Sequence, residues 1–184
     1  MAGSGVRRHR RARLVAVVVL GVAVLAFVAL SLRLFVFPDL NAPRHVDAIA
    51  VLGGPGTANI DRGEDLARQG DAPTIVFSLT PYYTCGTFAH ALPRLRVLCF
   101  RPNPSTTQGE ARAITHLAAV HGWHRIIVVM PTTQATRARL RLDRCYSGQV
   151  LEVASTPPGF WSWLHGIAYE WGALLKALVL QTGC

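Results

Sequence analysis

The run Arg125-Ile126-Ile127-Val128-Val129-Met130 decides the fold of this chain. A short unbroken apolar run between polar flanks is the pattern of a strand buried on both faces, as in a parallel sheet covered by helices. Upstream, Ser105-Thr106-Thr107-Gln108-Gly109-Glu110-Ala111-Arg112 opens a helical pattern that continues to His121-Gly122. Downstream, Gln134-Ala135-Thr136-Arg137-Ala138-Arg139-Leu140 opens a second helix that runs to Cys145. In an open α/β sheet, ligands sit beyond the carboxyl ends of the strands. The loop after Met130 and the start of the next helix are therefore where a site is expected.

The same alternation extends outward. Residues 47–52, 74–79, 96–100 and 150–154 are further apolar runs of strand length, the first ended by Gly53-Gly54-Pro55-Gly56. Between them, Ile60 to Gln69 has helical periodicity and stops at Gly70, and a short helix is expected near Thr87 to Leu92. Strands alternating with helices predict a Rossmann-like, three-layer α/β domain around a mainly parallel sheet of about five strands.

Ahead of that domain, Leu14 to Leu32 contains no charged residue, and the apolar character resumes after Arg33 through Phe37. About 20 apolar residues span a bilayer as a helix. Arg7, Arg8, Arg10, Arg11 and Arg13 precede the run, which predicts a cytoplasmic N-terminus and a domain outside the plasma membrane. A cleaved signal peptide is the rival reading, but the run is long for one and no small-x-small cleavage site follows it. The expected organisation is a basic segment over 1–13, a signal anchor over 14–37, a Pro-containing linker over 38–45 and the domain over 46–184.

The formal charge of +9 over 184 residues resembles a nucleic-acid signal until it is divided. Removing the N-terminal cluster and Arg33 leaves 13 basic against 10 acidic residues, about +3, so nucleic acid is discounted. The tail from Phe160 to Gln181 is rich in tryptophan and leucine. It suits either a membrane interface or a terminal helix packed on the domain, and Gly166 and Glu170 favour packing over a second span.

Cys85, Cys99, Cys145 and Cys184 allow three complete pairings. Outside the membrane disulfides persist, and the pairing Cys85–Cys99 with Cys145–Cys184 is favoured; buried free thiols are the alternative. No Cys or His spacing suggests a metal.

Among residues able to carry chemistry, Gly53 and Gly54 let the backbone approach a ligand and turn amides toward an anion. Arg62, in the following helix, either joins that crevice or pairs with Asp61, Glu64 or Asp65 on the surface. Thr107 and Glu110 have capping-box spacing, which would occupy them structurally. A carboxylate at a strand end also suits hydroxyl binding or acid–base work. Thr136 and Arg137 begin the helix after the fourth strand, where amides and a guanidinium converge on an anion. Arg139, Arg141 and Arg144 are expected on a solvated face, as is Arg112. The expected pocket thus gathers Gly53, Gly54, Arg62, Thr107 and Arg137, with Ser78 at the end of the second strand.

These pieces together resemble the SanA/YdcF/ElyC-like family over most of residues 46–145. The resemblance rests on Val51-Leu52-Gly53-Gly54, on Arg62 followed by Leu66-Ala67 and Gly70, and on Ala72-Pro73 before a strand ending in Ser78. It continues with Thr107, Gly109, Glu110 and Ala111, then with Arg137-Ala138. It implies a role in cell-envelope and peptidoglycan biogenesis with a phosphorylated or lipid-linked ligand. S-adenosylmethionine or a nucleotide is the alternative ligand, disfavoured by their scarcity outside the membrane. Two departures stand out. The family shows serine-glycine where this chain has Ser78-Leu79, and a histidine where this chain has Gln134. Glutamine binds through its amide but cannot shuttle a proton near neutral pH. Glu110 is then the remaining candidate acid or base, with Gln134 a polar contact, and a non-catalytic cell-wall module is the second reading.

Overall fold

A computed structural model describes residues 3–54, 57–157 and 159–184, with side chains from residue 9 onward. Helix α1 (Gly3–Ser31) passes into a π-helical turn, Leu32–Val36. The domain then follows as β1 (Ala48–Val51), α2 (Ala58–Arg68), β2 (Thr74–Ser78), α3 (Cys85–Ala91), β3 (Arg96–Phe100), α4 (Thr107–His121), β4 (Arg125–Pro131), a 3-10 turn (Thr132–Gln134), α5 (Ala135–Cys145), β5 (Gln149–Ser155) and α6 (Phe160–Val179). From His9 to Val36 the first helix is long and apolar enough to cross a membrane.

The five strands form one all-parallel sheet in the order β3-β2-β1-β4-β5. Alternation along each strand sends side chains to two separate apolar layers. Ile49 and Val51 of β1, with Ile75, Phe77, Ile127 and Val129, face Leu66 and Ala67 of α2 and Phe88 of α3. Ala48, Ala50 and Leu52, with Ile126, Val128 and Met130, face Ala111, Ile114 and Ala118 of α4 and Ala135, Ala138 and Leu142 of α5. Helices α2 and α3 thus cover one face of the sheet, and α4 and α5 the other. Gly63 admits the close approach of α2, since a Cβ there would lie 2.4 Å from Val51 Cγ2.

Strand order reverses between β1 and β4, so the loops after those two strands part in opposite directions and leave a crevice at the carboxyl edge. The lower edge is clipped by Asp47, whose Oδ2 accepts the amides of His124 and Arg125 at 2.7 and 2.8 Å. Those amides hold its carboxyl below the usual aspartate range.

Helix α6 forms an added layer on α5. Arg141 and Arg144 lie beneath it rather than on a solvated face, correcting the expectation for those two, while Arg139 stays part-exposed and pairs with Glu152 of β5 instead. Arg141, only 3% exposed, donates to the Gln181 carbonyl and side chain, and Arg144 donates to the carbonyls of Ala177 and Gln181. The last carbonyls of a helix have no intrahelical partner, and guanidinium groups are suited to satisfy them. Arg112 likewise donates to the Cys184 carbonyl. The two disulfides are Cys85–Cys99 and Cys145–Cys184, with Cα separations of 5.8 and 4.8 Å. The second one ties the chain end to the last residue of α5.

Candidate functional site at the sheet switch point

Four elements deliver side chains to the crevice. Gly53 leaves the end of β1, Ser78 ends β2, Thr107 and Glu110 occupy the first turn of α4, and Gln134 and Arg137 open α5. Helix α4 starts where it does because Thr106 is its cap: its backbone is extended (φ −149°, ψ 166°) and its hydroxyl accepts from the Gly109 amide. The capping box expected from Thr107 and Glu110 is therefore not formed. Thr107 is already helical, and both side chains are released to point across the molecule.

The Glu110 carboxylate reaches across to accept the Gly53 amide at 2.7 Å and bonds the Ser78 hydroxyl. It is 5% exposed. Burial raises its pKa above the ordinary glutamate value, against the opposing pull of Ser78, the Gly53 amide and the Arg137 charge. The Gly53 amide, expected to face an anion, is thus spent on a carboxyl of the protein itself. Gly54 lies against the opposite wall, where a Cβ would come within 2.9 Å of Asn59 Nδ2 and 3.4 Å of Pro131. Pro55 and Gly56 lie outside the described residues.

Thr107 is the junction of the second half. Its hydroxyl accepts Gln134 Nε2 at 2.9 Å and also Arg137 Nη1. The rest of the Arg137 fork is committed to Glu170 of α6, with Nε to Oε2 and Nη2 to Oε1, both at 2.7 Å. Burial alone would lower the guanidinium pKa, but the hydrogen bonds and charge of Glu170 outweigh it and raise it. One edge of the guanidinium is neutralised by Glu170, and Nη1 is left to Thr107.

Gly53, Ser78, Glu110, Thr107, Gln134 and Arg137 are therefore brought together. Arg62 is not. Helix α2 covers the sheet face opposite α5, and Arg62 makes no hydrogen bond or ion pair with a described residue. Its suggested partners Glu64 and Asp65 are taken by Arg68 at 2.7 and 3.9 Å, and Asp61 accepts from Thr57. The cleft beside Gly53 and Gly54 is lined by Asn59, Ser78, Thr80 and Tyr83, and neither Arg62 nor Thr107, Glu110, Gln134 or Arg137 lines it.

Three contributors went unread in the sequence. Glu170 was legible as the single acid in a mainly apolar helix, which calls for a buried cation. Asn59, whose Nδ2 donates to the Leu52 carbonyl at 3.2 Å, and Ser155, hydrogen-bonded to Asn59, gave no local signal. A second, wider cleft lies where the N-terminal helix meets the domain, lined by Arg33, Asp39, Thr136, Arg139 and Glu152. There Glu152 is 1% exposed, accepts Arg139 Nε at 2.9 Å through Oε2, and leaves Oε1 buried without a partner. Desolvation raises its pKa to about 7 despite the Arg139 charge. Among the described residues no three His, Cys, Asp or Glu side chains gather to hold a metal.

No family model, curated protein or solved structure matches the chain.

Proposed function

We propose that this chain is a membrane-anchored, outward-facing domain that binds a phosphorylated or lipid-linked ligand at the switch point and serves cell-envelope and peptidoglycan biogenesis, as its resemblance to SanA/YdcF/ElyC-like proteins implies. The observation that carries the reading is a buried Glu110 carboxyl, one helical turn from Thr107 and within the field of Arg137, beside the hydrogen-bonded Thr107–Gln134–Arg137 cluster. Arg137 Nη1 and the Thr107 hydroxyl offer donors to a phosphate oxygen, with a fixed guanidinium plane behind them. Glu110, held toward its protonated form by burial, is placed to give a proton to an oxygen that develops charge. Arg62 has no part in this version of the site.

Gln134 supports a second reading, binding without turnover. Its amide is buried and committed to Thr107, where the family resemblance places a histidine. Both readings are tested on the full chain in detergent, by thermal shift with polyprenyl phosphate, inorganic phosphate and pyrophosphate, and by phosphate release. Stabilisation by a phosphorylated compound that Thr107→Val abolishes supports the site; stabilisation that Thr107→Val leaves intact removes it. Turnover lost in Glu110→Gln supports catalysis. Binding without turnover in the parent, with turnover appearing in Gln134→His, supports the module.

A further inference from the structure

Helix α6 carries two faces of different purpose. Glu170, Leu174 and Ala177 are buried against the domain. Roughly opposite them, at about 100° per residue, Trp161, Leu164, Ala168, Leu175 and Val179 form one exposed stripe, with Trp161 77% and Val179 71% exposed. The polar residues Ser162, His165 and Lys176 occupy the flank between the two faces. Trp171 occupies the other flank, and there it meets the anchor. Its ring stacks on Phe27 at 5.2 Å and meets Phe35 edge-on at 5.3 Å, and its Nε1 donates to Ser31 Oγ at 3.0 Å.

Three successive turns of the anchor's outer end thus grip one residue of α6. The contact fixes the level of α6 at the outer end of the anchor. The level is given by Ser31, one residue before the end of the uncharged run Leu14–Leu32, which is the hydrocarbon–headgroup boundary. Tryptophan is the side chain most at home there.

We infer that α6 lies in the membrane interface, its Trp161–Leu164–Leu175–Val179 stripe embedded among lipid headgroups and upper acyl chains. The chain is then mounted at two places, a crossing helix and an in-plane helix, with its orientation on the bilayer fixed. Glu170 precedes Trp171 directly and holds Arg137, so this seating also puts the switch-point crevice beside the bilayer surface. The inference rests on the anchor crossing the membrane, and it commits to lipid, not to a second copy of the chain, as the cover of the stripe.

The test reconstitutes the full chain in phosphatidylethanolamine–phosphatidylglycerol vesicles with brominated acyl chains, which quench nearby tryptophan. Trp161→Phe and Trp123→Phe are compared with the parent; Trp161 is exposed, so its replacement does not threaten folding. The expected result is a clear loss of quenched fluorescence in Trp161→Phe and no loss in Trp123→Phe. An unchanged quenched signal in Trp161→Phe, while the protein resists alkaline extraction, overturns the interfacial helix and leaves the anchor standing. Release by alkali overturns both. Trp161 shielded from bromolipid and from aqueous acrylamide, in a protein that sizes as a dimer, assigns the stripe to a second copy and overturns the inference.

Discussion

Arg137 and Glu170, 33 residues apart, join in a doubly hydrogen-bonded ion pair whose two N–O distances are both 2.7 Å. The pair links the opening turn of α5 to the middle of α6 and leaves Arg137 one donor for Thr107. Its side chains are 11% and 5% exposed, so removing one partner strands a charge out of water. Glu170→Ala is expected to destabilise the full chain by about 3–5 kcal/mol, whereas Arg137→Met combined with Glu170→Leu recovers most of that loss. Urea denaturation in detergent micelles measures both; equal losses in the single and double variants would contradict this account.

Glu152 makes stability depend on pH. Its carboxyl titrates near 7 in the folded chain against 4.5 unfolded, so the folded state retains a proton that the unfolded state has released. The stabilisation is complete below pH 4.5 and is lost as pH rises through 7. The shift corresponds to at most about 3–4 kcal/mol. Glu152→Gln is expected to flatten the decline of unfolding free energy between pH 5 and about 8 relative to the parent. Parallel slopes for the two proteins would show that Glu152 is not the source.

Gly109 leaves no room for a side chain. A Cβ there would sit 1.9 Å from the Pro104 carbonyl oxygen and 2.9 Å from the Asn103 carbonyl carbon, both backbone atoms that cannot swing aside. Gly109→Ala is expected to cost about 1–3 kcal/mol or more by forcing the loop away from α4. Gly86→Ala serves as the control, since its nearest neighbour is Thr84 Oγ1 at 3.9 Å. Thermal midpoints of the two variants should separate clearly, with Gly86→Ala close to the parent.

The disulfides should differ in worth. Cys145–Cys184 spans 39 residues and Cys85–Cys99 spans 14. Loop-closure entropy then assigns about 4 kcal/mol to the first and about 3 to the second. Cys145→Ser is expected to lower the thermal midpoint more than Cys85→Ser, and to expose the segment after α6 to proteases. Protection of that segment in Cys145→Ser would show that the arginine contacts to Ala177 and Gln181 suffice.

Much of the architecture was legible because parallel strands buried on both faces leave unbroken apolar runs, as at Arg125–Met130. The runs at 74–79 and 96–100 placed β2 and β3 within a residue, and Cys85–Cys99 with Cys145–Cys184 is the pairing the sequence favoured. The candidate site was legible in part. Thr107, Glu110, Gln134 and Arg137 do meet, but Arg62 stands on the helix that covers the other sheet face. Spacing along one helix says nothing of which face that helix will cover. Arg141 and Arg144 of α5 were misjudged for a related reason: whether a polar face meets water depends on what later packs over it.

The sequence alone determined the apolar N-terminal helix, the alternation of strands and helices, and the crevice at the strands' carboxyl edge. Those follow from the period and length of apolar runs, which are local properties. Tertiary structure alone decided that Thr106, not Thr107, caps α4, that Glu110 spends itself on Gly53 and Ser78, and that Glu170 claims Arg137. It also decided that α6 meets the N-terminal helix at Trp171. Apart from the Thr106 cap, which is local, each of these is a contact between polar or aromatic groups far apart in the chain, and such partners are chosen by burial, where an unpaired group is costly.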